Sequence, residues 1–216
     1  MELNKRFESD KLKKIQIFSG AQLKYVAFIS MLIDHVNNAL ITPLLDGSGF
    51  LLYLSNIFSV LGRIAFPIFV FFIVEGFYKT KNRKKYLLTL TVFGVISEVP
   101  FDMFTSKTFF NPYWNNMMFT LALCLITIWI IDTLKGKIKS KVLWYTVSII
   151  IVIFSGLSAM ELSLDYDYHA VVAAYIFYIF YDNAHCNLLH YNEMLVITHI
   201  ISTLYSLFRN CTCQFK

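Results

Sequence analysis

The chain has 216 residues, of which 57% are hydrophobic and 15% charged, and it carries a net charge of +5. An average soluble domain is about 25% charged, so the composition excludes an ordinary soluble globular protein. We expect an integral membrane protein, because a soluble fold of this length cannot bury so many Phe, Ile and Leu side chains.

Apolar segments of membrane-spanning length recur along the chain. A spanning helix needs about 20 mostly apolar residues, and we predict an all-α, polytopic transmembrane helix bundle of about seven spans. In chain order the spans are residues 22–43, 56–77, 86–105, 115–133, 142–160, 168–182 and 193–208. The bundle then occupies residues 21–208, between an amphipathic cytoplasmic leader (1–20) and a short tail (209–216). We expect the first span to serve as an uncleaved anchor.

Basic residues cluster in every second connection, so they lie on one side of this predicted bundle. Fifteen of the 19 Lys and Arg residues lie before or at the start of the first span, between spans two and three, or between spans four and five. Loops rich in Lys and Arg stay in the cytoplasm, so the pattern predicts a cytoplasmic N-terminus in a multi-pass protein of the bacterial cell membrane. The net charge therefore reflects topology, and we expect no nucleic-acid partner.

Histidines and cysteines near the end of the chain do not form a convincing metal site. His185, Cys186 and His190 have a suggestive spacing, but the loop lacks a fourth ligand. We interpret them as ordinary loop residues and expect no metal. His169, at the start of the sixth span, is expected to be solvated at the interface.

The first span carries a polar stripe. Asn38 lies four residues after Asp34 and three after His35, so these side chains share one helical face. A charged group in the hydrocarbon core costs about 2.5–3.5 kcal/mol on insertion scales, which requires a structural partner or a function. At a rise of about 1.5 Å per residue, His35 lies roughly 16 Å from the cytoplasmic edge. We predict a general base at His35; the alternative is a histidine that only satisfies a buried acid.

Polar side chains of later spans are predicted to reach the same layer. Arg63 lies about 10 Å from the outer edge and either clamps an acid or stabilises a developing oxyanion. Glu98 and Asp102 are one turn apart on the third span, while Asn116 and Asp165 enter from the outer ends of the fourth and sixth spans. We predict that this layer holds a substrate.

Five stretches of the sequence resemble, in order, the TraX family. They are LKYVAFISMLIDHV, LGRIAFPIFVFFIVEGFYKT, KKYLLTLTVFGVISEVPFDM, WNNMMFTL and LDYDYHAVVAAYIFY. In the last stretch a glycine commonly follows the first tyrosine in the family, whereas this chain has Asp167. The family is named for the enzyme that N-acetylates the pilin subunit of conjugative pili. The resemblance implies a multi-pass membrane acetyltransferase that uses acetyl-coenzyme A as its donor.

The resemblance also implies roles for individual residues. The wider group of transmembrane acyltransferases, to which the chain is similar, uses an intramembrane histidine that maps here onto His35. Together with the spacing argument, this implies catalysis by His35, oriented by Asp34 and supported by Arg63. The expected acceptor is an amine, such as a protein N-terminus, or a hydroxyl of a small molecule or glycan of the envelope.

Two groups of side chains are predicted to bind the substrates, one within the lipid bilayer and one on its cytoplasmic side. The predicted acceptor-binding residues are Asn38, Glu98, Asp102, Asn116 and Asp165. The predicted residues for the phosphates of acetyl-coenzyme A are Lys81, Arg83 and Lys84. The alternative for these bases is that they only set the topology.

Two other classes of function stay open. Relays of Asp, His and Arg also mark ion paths, so a small proton- or ion-coupled transporter is the main alternative. Inverted repeats would favour a transporter, and we detect none in the sequence. The third class is a membrane scaffold without catalysis. The sequence also leaves open whether His35 is a general base or carries the acetyl group itself.

Overall fold

A computed structural model describes residues 20–45 and 49–183, which form helices joined by short connections. The α-helices in these ranges are α1 Gly20–Val36, α2 Gly49–Arg63, α3 Ala65–Lys79, α4 Arg83–Thr105, α5 Met117–Lys135, α6 Lys141–Glu161 and α7 Asp167–Asn183. A π-helical turn, Asn37–Ile41, and a 3-10 turn, Thr42–Leu44, continue α1. No β-strand occurs within the described ranges, which confirms the predicted all-α class there.

Four helical stretches of the described chain are long and apolar enough to cross a membrane. They are Gly49–Lys79, Arg83–Thr105, Met117–Lys135 and Lys141–Glu161. Helices α1 and α7 have 17 residues each, whereas a membrane-spanning helix usually needs about 20. The predicted seventh span, the leader as far as residue 19, the tail and the loop with His185 lie outside the described residues. The total of seven spans and the side of the N-terminus stay predictions.

The predicted second span is interrupted at Ile64. Pro67 has no N–H to donate, and its ring clashes with the carbonyl four residues earlier, which belongs to Arg63. Helix α2 therefore ends at Arg63 and α3 begins at Ala65. Between them, the Ile64 N–H donates to the Leu61 carbonyl at 3.2 Å. The break places Arg63 at a helix C-terminus, where the helix dipole favours a cation.

The described helices divide into two compact units. The first contains residues 20–45, 49–69 and 181–183, and the second contains Val70–Phe180. In the first unit α1 packs against α2, and the rings of Phe28 and Phe69 meet edge to face with centroids 5.7 Å apart. The two helices are in close contact at Gly62, where an added Cβ would lie 2.7 Å from Oδ1 of Asp34. Only glycine permits this approach.

Helix α5 forms the core of the second unit. Its fully buried side chains include Leu125, Ile128 and Ile131, at the spacing that places them on one broad face. This helix packs against both α4 and α6. Helix α7 covers the second half of α3, because Phe177 meets the ring of Phe71 at a centroid distance of 5.9 Å.

Helix α4 lies at the periphery of the second unit. Only 17% of its most apolar 18-residue segment is buried inside the protein, compared with 44% of the corresponding segment of α5. Large side chains such as Val92, Phe93 and Ile96 point outward and are about half exposed or more. A continuous apolar surface of this kind fits contact with lipid chains.

We expect Gly62→Ala to destabilise the first unit. The added methyl group would collide with the rigid Cβ side of Asp34 rather than with the end of a flexible chain, and such overpacking costs about 1–3 kcal/mol. Gly49→Ala is the matched control, because a Cβ at Gly49 has open space around it. Thermal unfolding of the purified variants measures the difference. Equal unfolding temperatures for the two variants would contradict the close approach of α1 and α2.

Candidate functional site

Asp34 is the centre of the polar stripe in the first unit. Its side chain lies against Gly62 of α2, and its Oδ2 accepts a hydrogen bond from Nδ2 of Asn38 at 3.2 Å. His35 follows Asp34 directly, and both side chains are half-buried. The predicted pairing of Asp34 with Asn38 along one helical face is therefore present, while Asn38 itself is exposed.

Asn37 is a buried polar residue of this stripe that the sequence analysis missed. It is 1% exposed, and its Nδ2 donates to Oγ of Ser59 on α2 at 3.0 Å. The chain enters the π-helical turn at Asn37. Asn37 lies seven residues after the buried Ser30 and three after Asp34, so it continues the face of α1 that packs on α2, whereas the polar stripe was predicted from Asn38. Single π turns inside helices are frequent at functional sites. Two consecutive asparagines within an apolar span were the available signal.

Arg63 is the last residue of α2 and follows Gly62 directly. Its backbone therefore lies one residue from the contact with Asp34. The acids predicted to pair with it, Glu98 and Asp102, belong to the second unit. That pairing stays a prediction.

Asn116 fastens the start of α5 to α4 in the second unit. It is 4% exposed, and its Oδ1 caps α5 by accepting from the N–H of Met118 at 2.9 Å. Its Nδ2 donates to the Gly94 carbonyl at 2.8 Å and also to Oε2 of Glu98. The backbone N–H of Asn116 reaches the same Oε2 at 3.3 Å. The structure thus brings Glu98 and Asn116 together, as the spacing predicted.

Asp102 holds the segment that follows α4. The side chain is fully buried, and its Oδ2 accepts from the backbone N–H of Asn111 at 2.8 Å. Asn111 in turn donates from Nδ2 to Oγ of Ser106 at 2.5 Å and accepts at Oδ1 from the N–H of Tyr113 at 3.1 Å. The connection between α4 and α5 is therefore tied to the last turn of α4.

Glu98 and Asp102 share one pattern of hydrogen bonds. Each carboxylate has one oxygen that accepts a backbone N–H from residues 111–116. The other oxygen, Oε1 of Glu98 or Oδ1 of Asp102, is buried and has no hydrogen-bond partner among the residues that the structure describes. Buried acceptors are nearly always paired in folded proteins, so two such oxygens on one helix face require an explanation.

Asn115 ties the same segment to the turn before α7. Its N–H donates to the Ser163 carbonyl at 3.0 Å, and its carbonyl accepts from the N–H of Asp165 at 3.3 Å. Its Nδ2 donates to the Leu162 carbonyl at 2.6 Å. Oγ1 of Thr120 completes the connection by donating to the Asp165 carbonyl at 2.8 Å. Residues 106–116 and 162–166, together with the last two turns of α4 (98–105), therefore form one end of the second unit, which we call the asparagine end.

The turn before α7 contains residues with a left-handed backbone. Ser163, Tyr166 and Asp167 have φ values of 49°, 65° and 45°, which cost non-glycine residues energy. His169, in the first turn of α7, stacks on Tyr168 with ring centroids 4.1 Å apart. Both ring nitrogens of His169 are buried. The expectation that this histidine is solvated is wrong, because the stacking and packing of α7 cover its ring.

Arg83, one of the predicted donor-binding bases, is engaged within the second unit. Its Nη1 forms an ion pair with Oδ2 of Asp132 at 2.9 Å, and its guanidinium lies 3.9 Å from the centre of the Phe77 ring. The other oxygen of Asp132 accepts from the hydroxyl of Tyr178 at 3.1 Å. Asp132 thus offsets the charge of Arg83 at the end of the unit opposite to the asparagine end.

The two lysines predicted to bind the donor remain available at the surface. Lys81 and Lys84 are exposed on either side of Asn82, which caps α4 by accepting from the N–H of Lys85 at 3.0 Å. Asp132, the partner of Arg83, was not predicted from the sequence. The available signal was that an acid and a base stood at matching ends of two consecutive spans.

The comparisons with known proteins agree with the resemblance found in the sequence. A curated relative from Dichelobacter nodosus, the probable fimbrial assembly protein FimC of serogroup H1, is 38% identical over 120 residues. That alignment covers 52% of this chain and 46% of the relative, so the chain matches about half the length of that protein. No solved structure matches the chain. The family described as TraX protein matches residues 19–213. With its apolar helices, this chain is a membrane protein and belongs to the TraX family.

Proposed function

We propose that this chain is an acetyltransferase of the cell membrane that moves an acetyl group from acetyl-coenzyme A to an amine or hydroxyl acceptor. The observation that carries the proposal is the half-buried Asp34, which packs against Gly62, with the half-buried His35 next to it on α1, in a chain of the TraX family. The description of the Dichelobacter nodosus relative as a probable fimbrial assembly protein supports an acceptor such as the N-terminus of a fimbrial or pilin subunit.

The proposed reaction forms one bond and breaks one. The acceptor nitrogen or oxygen attacks the carbonyl carbon of the thioester, and His35 takes the proton that the acceptor loses. The carbon–sulfur bond then breaks, and coenzyme A leaves as a thiol after it receives the proton from the imidazolium. Asp34 orients the ring and offsets its positive charge, while Arg63 stabilises the oxyanion of the tetrahedral intermediate.

Further residues are proposed to bind the two substrates. The proposed acceptor-binding residues are Glu98, Asp102, Asn116 and Asp165 of the second unit and Asn38 of the first. The support for them is the set of buried carboxylates and amides at the asparagine end. For the donor we propose Lys81, Arg83 and Lys84. Because Asp132 already offsets the charge of Arg83, the two lysines are expected to contribute most of the attraction for phosphate.

The proposed mechanism needs a defined orientation. We propose that the N-terminus is cytoplasmic, so that the basic segments 79–85 and 135–141 face the cytoplasmic acetyl-coenzyme A. The asparagine end then faces the outside. The support is the alternation of basic and non-basic connections along the chain.

Reporter fusions test the orientation. A reporter fused after Lys139 should behave as cytoplasmic, and one fused after Thr108, within the asparagine end, should behave as external. Alkaline phosphatase activity and fluorescence of a cytoplasm-dependent reporter measure the two sides independently. The reverse pattern would place the proposed donor-binding lysines in the wrong compartment and would contradict the mechanism.

His35→Ala tests the catalytic assignment. We expect transfer of labelled acetyl from acetyl-coenzyme A by membranes to fall by about 10²–10⁴-fold, the usual effect of losing a general acid–base group. The matched control is Leu32→Ala, which changes an exposed side chain of the same helix and should keep normal activity at equal expression.

The same variant separates catalysis from a structural role. If His35 acts in the reaction, His35→Ala should unfold at nearly the wild-type temperature while its activity is lost. Near-normal turnover, or a loss of activity no larger than the loss of folded protein, would contradict the assignment. Label retained on the wild-type protein in the absence of acceptor would identify His35 as an acyl carrier rather than a general base.

A further inference from the structure

Two buried carboxylate oxygens at the asparagine end have unused capacity to accept hydrogen bonds. They are Oε1 of Glu98 and Oδ1 of Asp102, and neither has a donor within the described ranges. Asp102 is fully buried. The two acids are four residues apart on α4 and therefore lie on the same helical face. Leaving a buried acceptor unpaired is costly, and a buried carboxylate is costlier when it also lacks a compensating charge.

The donors that bind the other oxygen of each carboxylate are already used. Both hydrogens of Nδ2 of Asn116 are already used, one for the Gly94 carbonyl and one for Oε2 of Glu98. The backbone N–H of Asn111 is used for Oδ2 of Asp102. In each carboxylate, the hydrogen bonds to one oxygen therefore fix the position of the other oxygen, which has no donor within the described ranges.

We propose that Oε1 of Glu98 and Oδ1 of Asp102 form a binding site for a primary ammonium group. An ammonium group supplies three N–H donors and one positive charge, so it satisfies both oxygens and reduces the repulsion between the carboxylates. A hydroxyl supplies one donor and no charge. A multivalent metal ion needs more ligands, and no group of three His, Cys, Asp or Glu side chains assembles in the described part of the chain.

The position of the site defines two sources of this ammonium group. Asp102 lies three residues before the end of α4 at Thr105, which is about 5 Å along the helix axis. The adjoining segment exposes the aromatic rings of Phe109, Phe110 and Tyr113, as expected at a membrane–water interface. Either an amine-bearing acceptor or the ethanolamine headgroup of a phospholipid is able to present an ammonium group there. Only the first source rests on the proposed acetyl transfer.

Amide variants isolate the two free oxygens. Glu98→Gln and Asp102→Asn keep one carbonyl oxygen, which is still able to accept the backbone N–H from residues 111–116, and replace the free oxygen by an NH₂ group. This group is a donor and carries no charge, so it opposes an ammonium ligand. We expect both variants to fold as the wild type does. Glu161→Gln, which changes an exposed acid at the end of α6 near the same turn, is the matched control.

The experiment measures binding to the purified full-length chain, so its outcome is independent of catalysis. One pair of probes is short-chain phosphatidylethanolamine and phosphatidylcholine, and the other is one short peptide with a free or an acetylated N-terminus. We expect the wild type and Glu161→Gln to prefer the ammonium-bearing member of at least one pair. In both amide variants that binding should weaken by about tenfold or more, as for the loss of a charge-assisted hydrogen bond.

The outcomes separate the sources and the two proposals. A preference confined to phosphatidylethanolamine identifies the lipid headgroup, and a preference for the free peptide identifies an acceptor amine. If the purified protein binds the ammonium-bearing probe but shows no acetyl transfer, the ammonium site is confirmed and the proposed acetyltransferase function is contradicted. Equal binding within both pairs, or an ammonium preference that survives in both amide variants, would overturn the inference.

Discussion

The hydrogen bonds of Asn116 are the interactions on which the asparagine end depends. One side chain caps α5, holds the Gly94 carbonyl and fixes one oxygen of Glu98. Asn115 extends the same connection to the turn before α7. Buried polar groups in a membrane protein cannot form hydrogen bonds with water, so each of these groups needs a hydrogen-bond partner inside the protein. Asn116 thereby positions the carboxylate of Glu98, and the N–H of Asn111 positions that of Asp102, which the proposed ammonium site uses.

The first unit is organised by steric constraints rather than by a network. Gly62 allows Asp34 to lie directly against α2, and Asn37 then reaches Ser59 across the same contact. Because of Pro67, α2 ends at Arg63, the residue after Gly62. The proposed catalytic residues therefore sit beside a glycine contact, a π-helical turn and a helix break.

Regular helical features were predictable from the sequence, whereas deviations from them were not. The span predicted at residues 86–105 is observed as Arg83–Thr105, because apolar length and an Asn cap are local signals. The π-helical turn at Asn37–Ile41 and the pairing of Arg83 with Asp132 are features that spacing along one regular helix does not report. The family's usual glycine at the position of Asp167 was an informative sign. The observed φ of 45° there is one that glycine adopts freely and that aspartate tolerates.

Binding of acetyl-coenzyme A to the purified chain, measured by titration calorimetry, tests the central claim most directly. The account predicts saturable binding within the usual substrate range of about 1 μM–1 mM, weakened by salt because the phosphates meet lysines. Replacing Lys81 and Lys84 by glutamine should weaken this binding, while replacing Lys107, at the asparagine end, should leave it unchanged. No detectable binding at millimolar acetyl-coenzyme A, by a chain that remains folded, would contradict an acetyltransferase.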